Sequence, residues 1–99
     1  MELKSLKLVT IFSDDALQDE IIEALKGCGV KGYTIEDAKG EGLHRMRMNE
    51  LEGTIIRIET ICNEAKCDEV FKMLSEKFFN EYGVIAFATD IQVLRKERF

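Results

Sequence analysis

The segment richest in groups that bind anions is Lys39-Gly40-Glu41-Gly42-Leu43-His44-Arg45-Met46-Arg47. Glycines let the backbone approach an anion and direct several N–H groups at it, and arginines supply paired donors that match phosphate oxygens. Neither the P-loop pattern nor the Gly-x-Gly-x-x-Gly dinucleotide pattern is present. The segment therefore indicates an anion site of another kind, although the same composition is also typical of a flexible turn.

The histidine content offers little catalytic chemistry. The only histidine, His44, has no evident nucleophile or orienting group beside it in the sequence, so a solvated loop histidine is the simplest interpretation. A metal site that combines His44 with Glu41 or Glu50 is a weaker alternative. No catalytic residues are predicted.

The composition predicts one globular domain over residues 1–99, with 45% hydrophobic and 33% charged residues. A net charge of −5 argues against broad binding to nucleic acid. The longest apolar run, residues 84–88, is far shorter than the roughly twenty residues of a membrane span, and no apolar signal core follows Met1. We therefore expect a cytoplasmic protein without membrane insertion. Its cysteines lack C-x-x-C spacing and are expected to be reduced: Cys28, Cys62 and Cys67.

The first half of the chain has the pattern strand, helix, strand. Residues 6–12 are β-branched and apolar, and Ser13-Asp14-Asp15 then offers an N-cap for a helix that ends near Gly27 or Gly29. A short strand with one polar face is predicted between residues 31 and 38. The helix has an apolar stripe at Leu17, Ile21, Leu25 and Cys28.

The second half repeats this pattern after a loop predicted at residues 39–53. Such a long loop usually has a function or is disordered. Residues 53–62 are apolar on both faces, which is typical of a central strand. Asn63 is placed to cap a second helix, and a long last strand is predicted over residues 84–94. The second helix has its apolar stripe at Cys67, Val70, Phe71, Leu74 and Phe78.

The element order predicts a ferredoxin-like βαββαβ fold, an α+β fold with a four-stranded antiparallel sheet and both helices on one face. The helices then leave the far side of the sheet open, and apolar residues there would face water unless another subunit covers them. We therefore expect an oligomer whose sheets pack inward. The candidates for this far side are Val9, Ile11, Ile55, Ile61, Val84 and Ala86.

An RNA-recognition domain has the same strand order but needs exposed aromatic residues on its third strand. Here the third strand reads Thr54-Ile55-Ile56-Arg57-Ile58-Glu59, without an aromatic residue. Base stacking on this sheet is therefore not expected.

Two segments of the chain carry a recognisable family pattern. The first is Gly29-Val30-Lys31-Gly32-Tyr33-Thr34-Ile35 followed by Lys39-Gly40-Glu41-Gly42, and the second is Lys77-Phe78-Phe79-Asn80-Glu81-Tyr82-Gly83. Together they resemble PII-like signalling proteins, especially the SbtB-like subgroup associated with bicarbonate transport. The resemblance implies a homotrimer with adenine nucleotides bound between neighbouring subunits. Residues 39–53 would then correspond to the mobile T-loop that contacts a partner.

The resemblance also assigns parts of the site. Gly32 and Thr34 would lie near the base of the nucleotide. The residues near the phosphates would be Gly40, Gly42, Arg45 and Arg47. Glu41 replaces a lysine of the family, and the glycine-rich B-loop before the last strand is missing; both departures disfavour a triphosphate and leave room for a monophosphate, a cyclic nucleotide or a different anion. The candidate effectors are AMP, ADP, ATP and cyclic AMP.

The first functional hypothesis is a non-enzymatic regulator, in which a small anionic ligand changes the grip of the 39–53 loop on a partner such as a membrane transporter. The alternative is a metal- or bicarbonate-responsive regulator or tolerance protein, PII-like or CutA-like, on the same trimeric scaffold without nucleotide dependence. Its candidate residues are His44, Cys62 and nearby carboxylates. An enzyme ranks last because no nucleophile and base are seen together.

Overall fold

The computed structural model describes residues 2–40, 54–80 and 83–94. The chain has the order βαββαβ in these ranges, as predicted. Most of the predicted 39–53 loop lies outside the described residues. The elements are β1 (Lys4–Asp14), α1 (Gln18–Gly27), β2 (Thr34–Ala38), β3 (Ile55–Cys62), α2 (Glu64–Lys77) and β4 (Ile85–Val93).

The four strands form one sheet in the order β2-β3-β1-β4, with every neighbouring pair antiparallel. The predicted central position of β3 is confirmed, because it pairs with β2 on one side and with β1 on the other. β2 is shorter than predicted, since its ladder begins at Thr34. The segment that leads from α1 to Thr34 is therefore held by contacts other than sheet pairing.

Side-chain caps mark the start of the 3-10 turn that leads into α1 and the start of α2. The Asp14 carboxylate accepts a hydrogen bond from the Ala16 N–H at 3.0 Å, and a short 3-10 turn then precedes α1, which starts at Gln18. The predicted cap is confirmed, although the α-helix itself starts slightly later. Asn63 caps α2 by accepting a hydrogen bond from the Lys66 N–H at 2.7 Å.

The end of α1 depends on Gly29. This residue has φ +87°, a left-handed conformation that favours glycine after a helix. The reversal turns the chain back toward the sheet edge where β2 begins.

Both helices pack on the same face of the sheet and enclose a single core. Val9, Ile11 and Val84 are buried in this core, and Ala86 packs against it, so their predicted place on the far side is wrong. The physical reason is that both alternating sets of β1 residues are largely apolar, and the sequence does not reveal which set faces the helices. Register places Ile11 directly opposite Ile58 and Ala86.

The other face of the sheet has no covering layer among the described residues, and it is largely apolar. Ile85 and Phe87 are both 47% exposed, and the ring of Phe87 lies 6.4 Å from that of Phe12. Ile55 and Ile61 do lie on this face, as predicted. We call this surface the open face; its large, exposed or half-buried apolar members include Leu8, Phe12, Ile55, Ile61, Ile85, Phe87 and Ile91.

Within the described ranges, neither helix has the length and apolar character needed to cross a membrane.

Candidate ligand site

A row of aligned side chains crosses the open face near the start of β2. Thr34 lies directly opposite Glu59, Glu59 lies opposite Thr10, and Thr10 lies opposite Phe87. Directly opposed residues on antiparallel strands project to the same side of the sheet. The Thr10 hydroxyl donates a hydrogen bond to Glu59 Oε2 at 3.0 Å. This bond holds the carboxylate on the open face beside Thr34.

The adjacent row is also polar at the β2 side. Glu36 and Arg57 are opposed and form an ion pair, and the row continues through Phe12 to Ile85. Hydrogen bonding to Glu36 raises the pKa of the Arg57 guanidinium. The open face is therefore polar around Thr34, Glu59, Glu36 and Arg57 and mainly apolar over β1 and β4. A ligand with an aromatic ring and polar substituents suits such a boundary.

Gly32 lies just before β2, and neither conformation nor packing explains its lack of a side chain. Its φ is outside the left-handed region, and a Cβ added there would meet no atom within 4 Å. Its carbonyl accepts a hydrogen bond from the Thr60 hydroxyl at 2.6 Å. The backbone at Gly32 is thus held in place while its outer side stays open to an approaching group.

Gly40 lies beyond the opposite end of β2. Thr34 and Ala38 are the terminal residues of that strand, and a rise of roughly 3.3 Å per residue separates them by about 13 Å. Gly32 and Gly40 lie outside those two ends, so one base cannot contact both glycines of the same subunit. The structure therefore groups Gly32 and Thr34 with Glu59 and leaves Gly40 apart. The remaining predicted site residues lie outside the described residues: Gly42, Arg45 and Arg47.

The metal alternative finds no support from the described part of the chain. Cys62 is buried, and burial raises the pKa of its thiol to about 11, which disfavours the thiolate that binds metals. Residues 2–40, 54–80 and 83–94 contain no group of three or more potential metal ligands. His44, Glu41 and Glu50 lie outside these ranges.

Sequence reasoning missed Glu59, Thr10 and Thr60. The available signal was weak: Glu59 and Thr60 interrupt the isoleucine-rich strand β3, and Thr10 interrupts the apolar strand β1. Their grouping depends on pairing between strands that are distant in sequence, and only the register reveals it.

Residues 6–98 match the family Nitrogen regulatory protein P-II. The chain therefore belongs to the P-II family, and the predicted resemblance is confirmed at the level of the family. Members of this family are signalling regulators rather than enzymes. No functionally curated protein matches the chain.

Solved structures similar to the chain extend this result over its whole length. A PII-like signalling protein of Thermus thermophilus has 40% sequence identity to this chain and a TM-score of 0.86, and the match covers 100% of this chain and 99% of that chain. CPII of Thiomonas intermedia, bound to ADP, AMP and acetate, has 29% identity and a TM-score of 0.86, with coverage of 100% and 98%. CPII bound to ADP and bicarbonate has 29% identity and a TM-score of 0.85, with coverage of 99% and 97%.

Proposed function

We propose that this PII-like regulator is a homotrimer that binds an adenine nucleotide in clefts between its subunits and controls a partner protein through residues 39–53. The observation that carries the proposal is the row from Thr34 to Glu59 on the open face, beside the unobstructed backbone of Gly32. CPII, which is similar over nearly its full length, binds ADP and AMP.

The charges of this row favour one orientation of the nucleotide. The Glu59 carboxylate accepts hydrogen bonds and repels phosphate, so it suits donors such as ribose hydroxyls or the amine of adenine. Thr34 can donate and accept beside it. The phosphates then point away from this row, and the resemblance assigns them to Gly40, Gly42, Arg45 and Arg47.

The separation of Gly32 from Gly40 supports a site shared between subunits. If the base contacts Gly32 of one copy, the anion-binding segment that starts at Lys39 can come from the neighbouring copy. The open face favours association between copies of the chain, because Phe87 and Ile85 expose large apolar side chains that association would bury.

Regulation then follows from the charge of the bound ligand. Phosphates that meet Arg45 and Arg47 would favour an ordered form of the 39–53 segment, and loss of the ligand would release it. The partner would be a protein that binds one form better than the other. A membrane transporter is the partner that the resemblance suggests, and the assignment to the bicarbonate-transport subgroup stays a prediction.

The decisive experiment is native mass spectrometry of the protein with an equimolar mixture of AMP, ADP, ATP and cyclic AMP. We expect a trimer that retains adenine nucleotide, with the mass of the adduct identifying the preferred effector. Calorimetric titration with that nucleotide should then show weaker binding by Arg47→Ala. A monomer, or a trimer that retains no nucleotide, would contradict the proposal.

A bicarbonate-dependent function is the second candidate, because one CPII structure holds bicarbonate together with ADP. In this case bicarbonate acts with the nucleotide or in its place. Titration of bicarbonate with and without ADP distinguishes these two possibilities. Bicarbonate binding that requires ADP supports two cooperating ligands, whereas equal bicarbonate binding with and without ADP supports regulation without a nucleotide.

A further inference from the structure

The connection between α1 and β2 presents Gly32 to the candidate site, and the sheet does not pair with it. The β2–β3 ladder starts at Thr34, which is opposite Glu59. Residues 28–33 therefore depend on other contacts for their conformation.

Besides the bonds that the N–H groups of Cys28 and Gly29 make to the last turn of α1, three hydrogen bonds from nitrogen or oxygen donors hold this connection. Lys66 Nζ donates to the carbonyl oxygen of Cys28 at 2.6 Å, and the Val30 N–H donates to the carbonyl oxygen of Leu25 at 3.4 Å. Both are located at the end of α1. The third comes from the sheet: the Thr60 hydroxyl donates to the carbonyl oxygen of Gly32 at 2.6 Å. This bond acts on the residue that borders the candidate site.

The hydroxyl of Thr60 is unusual in its surroundings. Thr60 is 2% exposed and projects from the helix-facing side of β3, where Ile56 and Ile58 are its apolar neighbours on the same strand. A valine has the same shape and would avoid the cost of burying a hydroxyl. The hydroxyl is explained by its bond to the Gly32 carbonyl, since that bond satisfies a polar group that is otherwise buried among apolar side chains.

On the basis of the proposed function, we propose that Thr60 is a positioning residue, which sets the Gly32 backbone in its binding conformation before the nucleotide arrives. Thr60 faces the core, so it acts through Gly32 and does not contact the ligand. A backbone ordered in advance lowers the entropy cost of binding, and the benefit appears as higher affinity.

The test is calorimetric titration of ADP and AMP into wild-type protein and Thr60 variants, combined with thermal melting. Thr60→Val removes the hydroxyl and keeps the shape, whereas Thr60→Ser keeps the hydroxyl. We expect Thr60→Val to weaken binding about three- to tenfold, the effect of one neutral hydrogen bond, and Thr60→Ser to stay within about twofold of wild type. Ser75→Ala, which removes a hydroxyl from an exposed position of α2 on the opposite side of the sheet, is the control and should bind as wild type does.

The comparison of Thr60→Cys with Thr60→Ser keeps the test valid even if Thr60→Val fails to fold. Thr60→Cys differs from Thr60→Ser in one atom and offers only a weak donor, so it should bind more weakly than Thr60→Ser at similar stability. If Thr60→Val and Thr60→Cys bind like wild type and only melt earlier, Thr60 is merely structural and the inference is overturned. If wild-type protein binds neither nucleotide, the proposed function itself fails, together with this role.

Discussion

Thr10 and Glu59 are joined across the two central strands by a hydrogen bond of 3.0 Å, although they are far apart in sequence. Thr10 is only 3% exposed, so its hydroxyl is a fixed donor that orients the carboxylate. Glu59 also faces Thr34 at the edge where the nucleotide is proposed to bind. An acid held in one orientation at the border of this apolar surface is more readily explained by ligand binding than by stability.

Replacing Glu59 tests this orientation. Glu59→Gln keeps an oxygen that accepts the Thr10 hydroxyl bond, so the melting temperature should change little. Nucleotide binding should weaken roughly five- to tenfold, because hydrogen bonds to a charged acceptor are stronger than those to a neutral one. Glu76→Gln, an exposed position on α2, is the control for the change in net charge. If calorimetry gives the same nucleotide affinity for Glu59→Gln and Glu76→Gln, the ligand does not bind at Glu59.

The glycine at position 32 gives a second prediction, in which stability and binding move in opposite directions. Gly32→Ala introduces a methyl group into open space, at a φ that alanine can adopt. The free energy of unfolding should stay constant or rise by up to about 1 kcal/mol, because the unfolded chain loses conformational freedom. Nucleotide affinity should fall at least several-fold, since the methyl group occupies the space that the ligand needs.

Gly27→Ala is a matched control for this experiment. A Cβ at Gly27 also meets no atom within 4 Å, but Gly27 is the last residue of α1 and lies outside the candidate site. Both variants should be at least as stable as wild type in urea unfolding, and only Gly32→Ala should lose affinity. An unchanged dissociation constant for Gly32→Ala would show that no ligand approaches this backbone.

The sequence was sufficient to predict the fold because its local signals agree. Asp14 and Asn63 cap their elements, Gly29 ends α1, and the apolar stripes of both helices lie in the core or pack against it, as expected. The facing of β1 was not predictable, because its two sides are similarly apolar and only the packing of the helices decides between them.

The candidate site was only partly predictable for a related reason. Gly32 and Thr34 belong to a local motif that the resemblance identifies. Glu59, Thr10 and Thr60 act through contacts across the sheet, and a pattern along the chain does not specify which residues become opposed.

A charged side chain introduced into the open face should prevent assembly of the trimer. Phe87→Glu should yield a folded monomer, because this ring is 47% exposed in a single chain and adds little to its core, whereas a carboxylate buried between subunits is costly. Phe79→Glu is the control, since Phe79 is 42% exposed but follows α2 and lies away from the open face. Light scattering should show a trimer for Phe79→Glu and a monomer for Phe87→Glu.

Assembly and ligand binding should be lost together in Phe87→Glu if the site lies between subunits. Circular dichroism checks that the monomer is folded. A trimeric Phe87→Glu would contradict packing through the open face, and a monomer that binds nucleotide as wild type does would contradict a shared site.

Alkaline pH tests the buried thiol at the end of β3. Burial raises the pKa of Cys62 from 9.0 to about 11 in the folded protein. Between these values the unfolded chain releases a proton that the folded protein keeps, so the free energy of unfolding should fall as the pH rises from about 9 to about 11. Well below pH 9.0 the thiol is protonated in both states, so its ionisation should not change the free energy of unfolding.

Urea unfolding across this range, compared between wild type and Cys62→Ala, isolates the contribution of the thiol. The variant should be less stable at neutral pH because it leaves a small cavity, but its stability should fall less steeply above pH 9.0. The free energy of unfolding of the variant should still decrease at alkaline pH, because burial also raises the pKa of Cys67, and hydrogen bonding to Asp90 raises the pKa of Lys7. Parallel curves for the two proteins would mean that Cys62 ionises in the folded state as easily as in the unfolded chain.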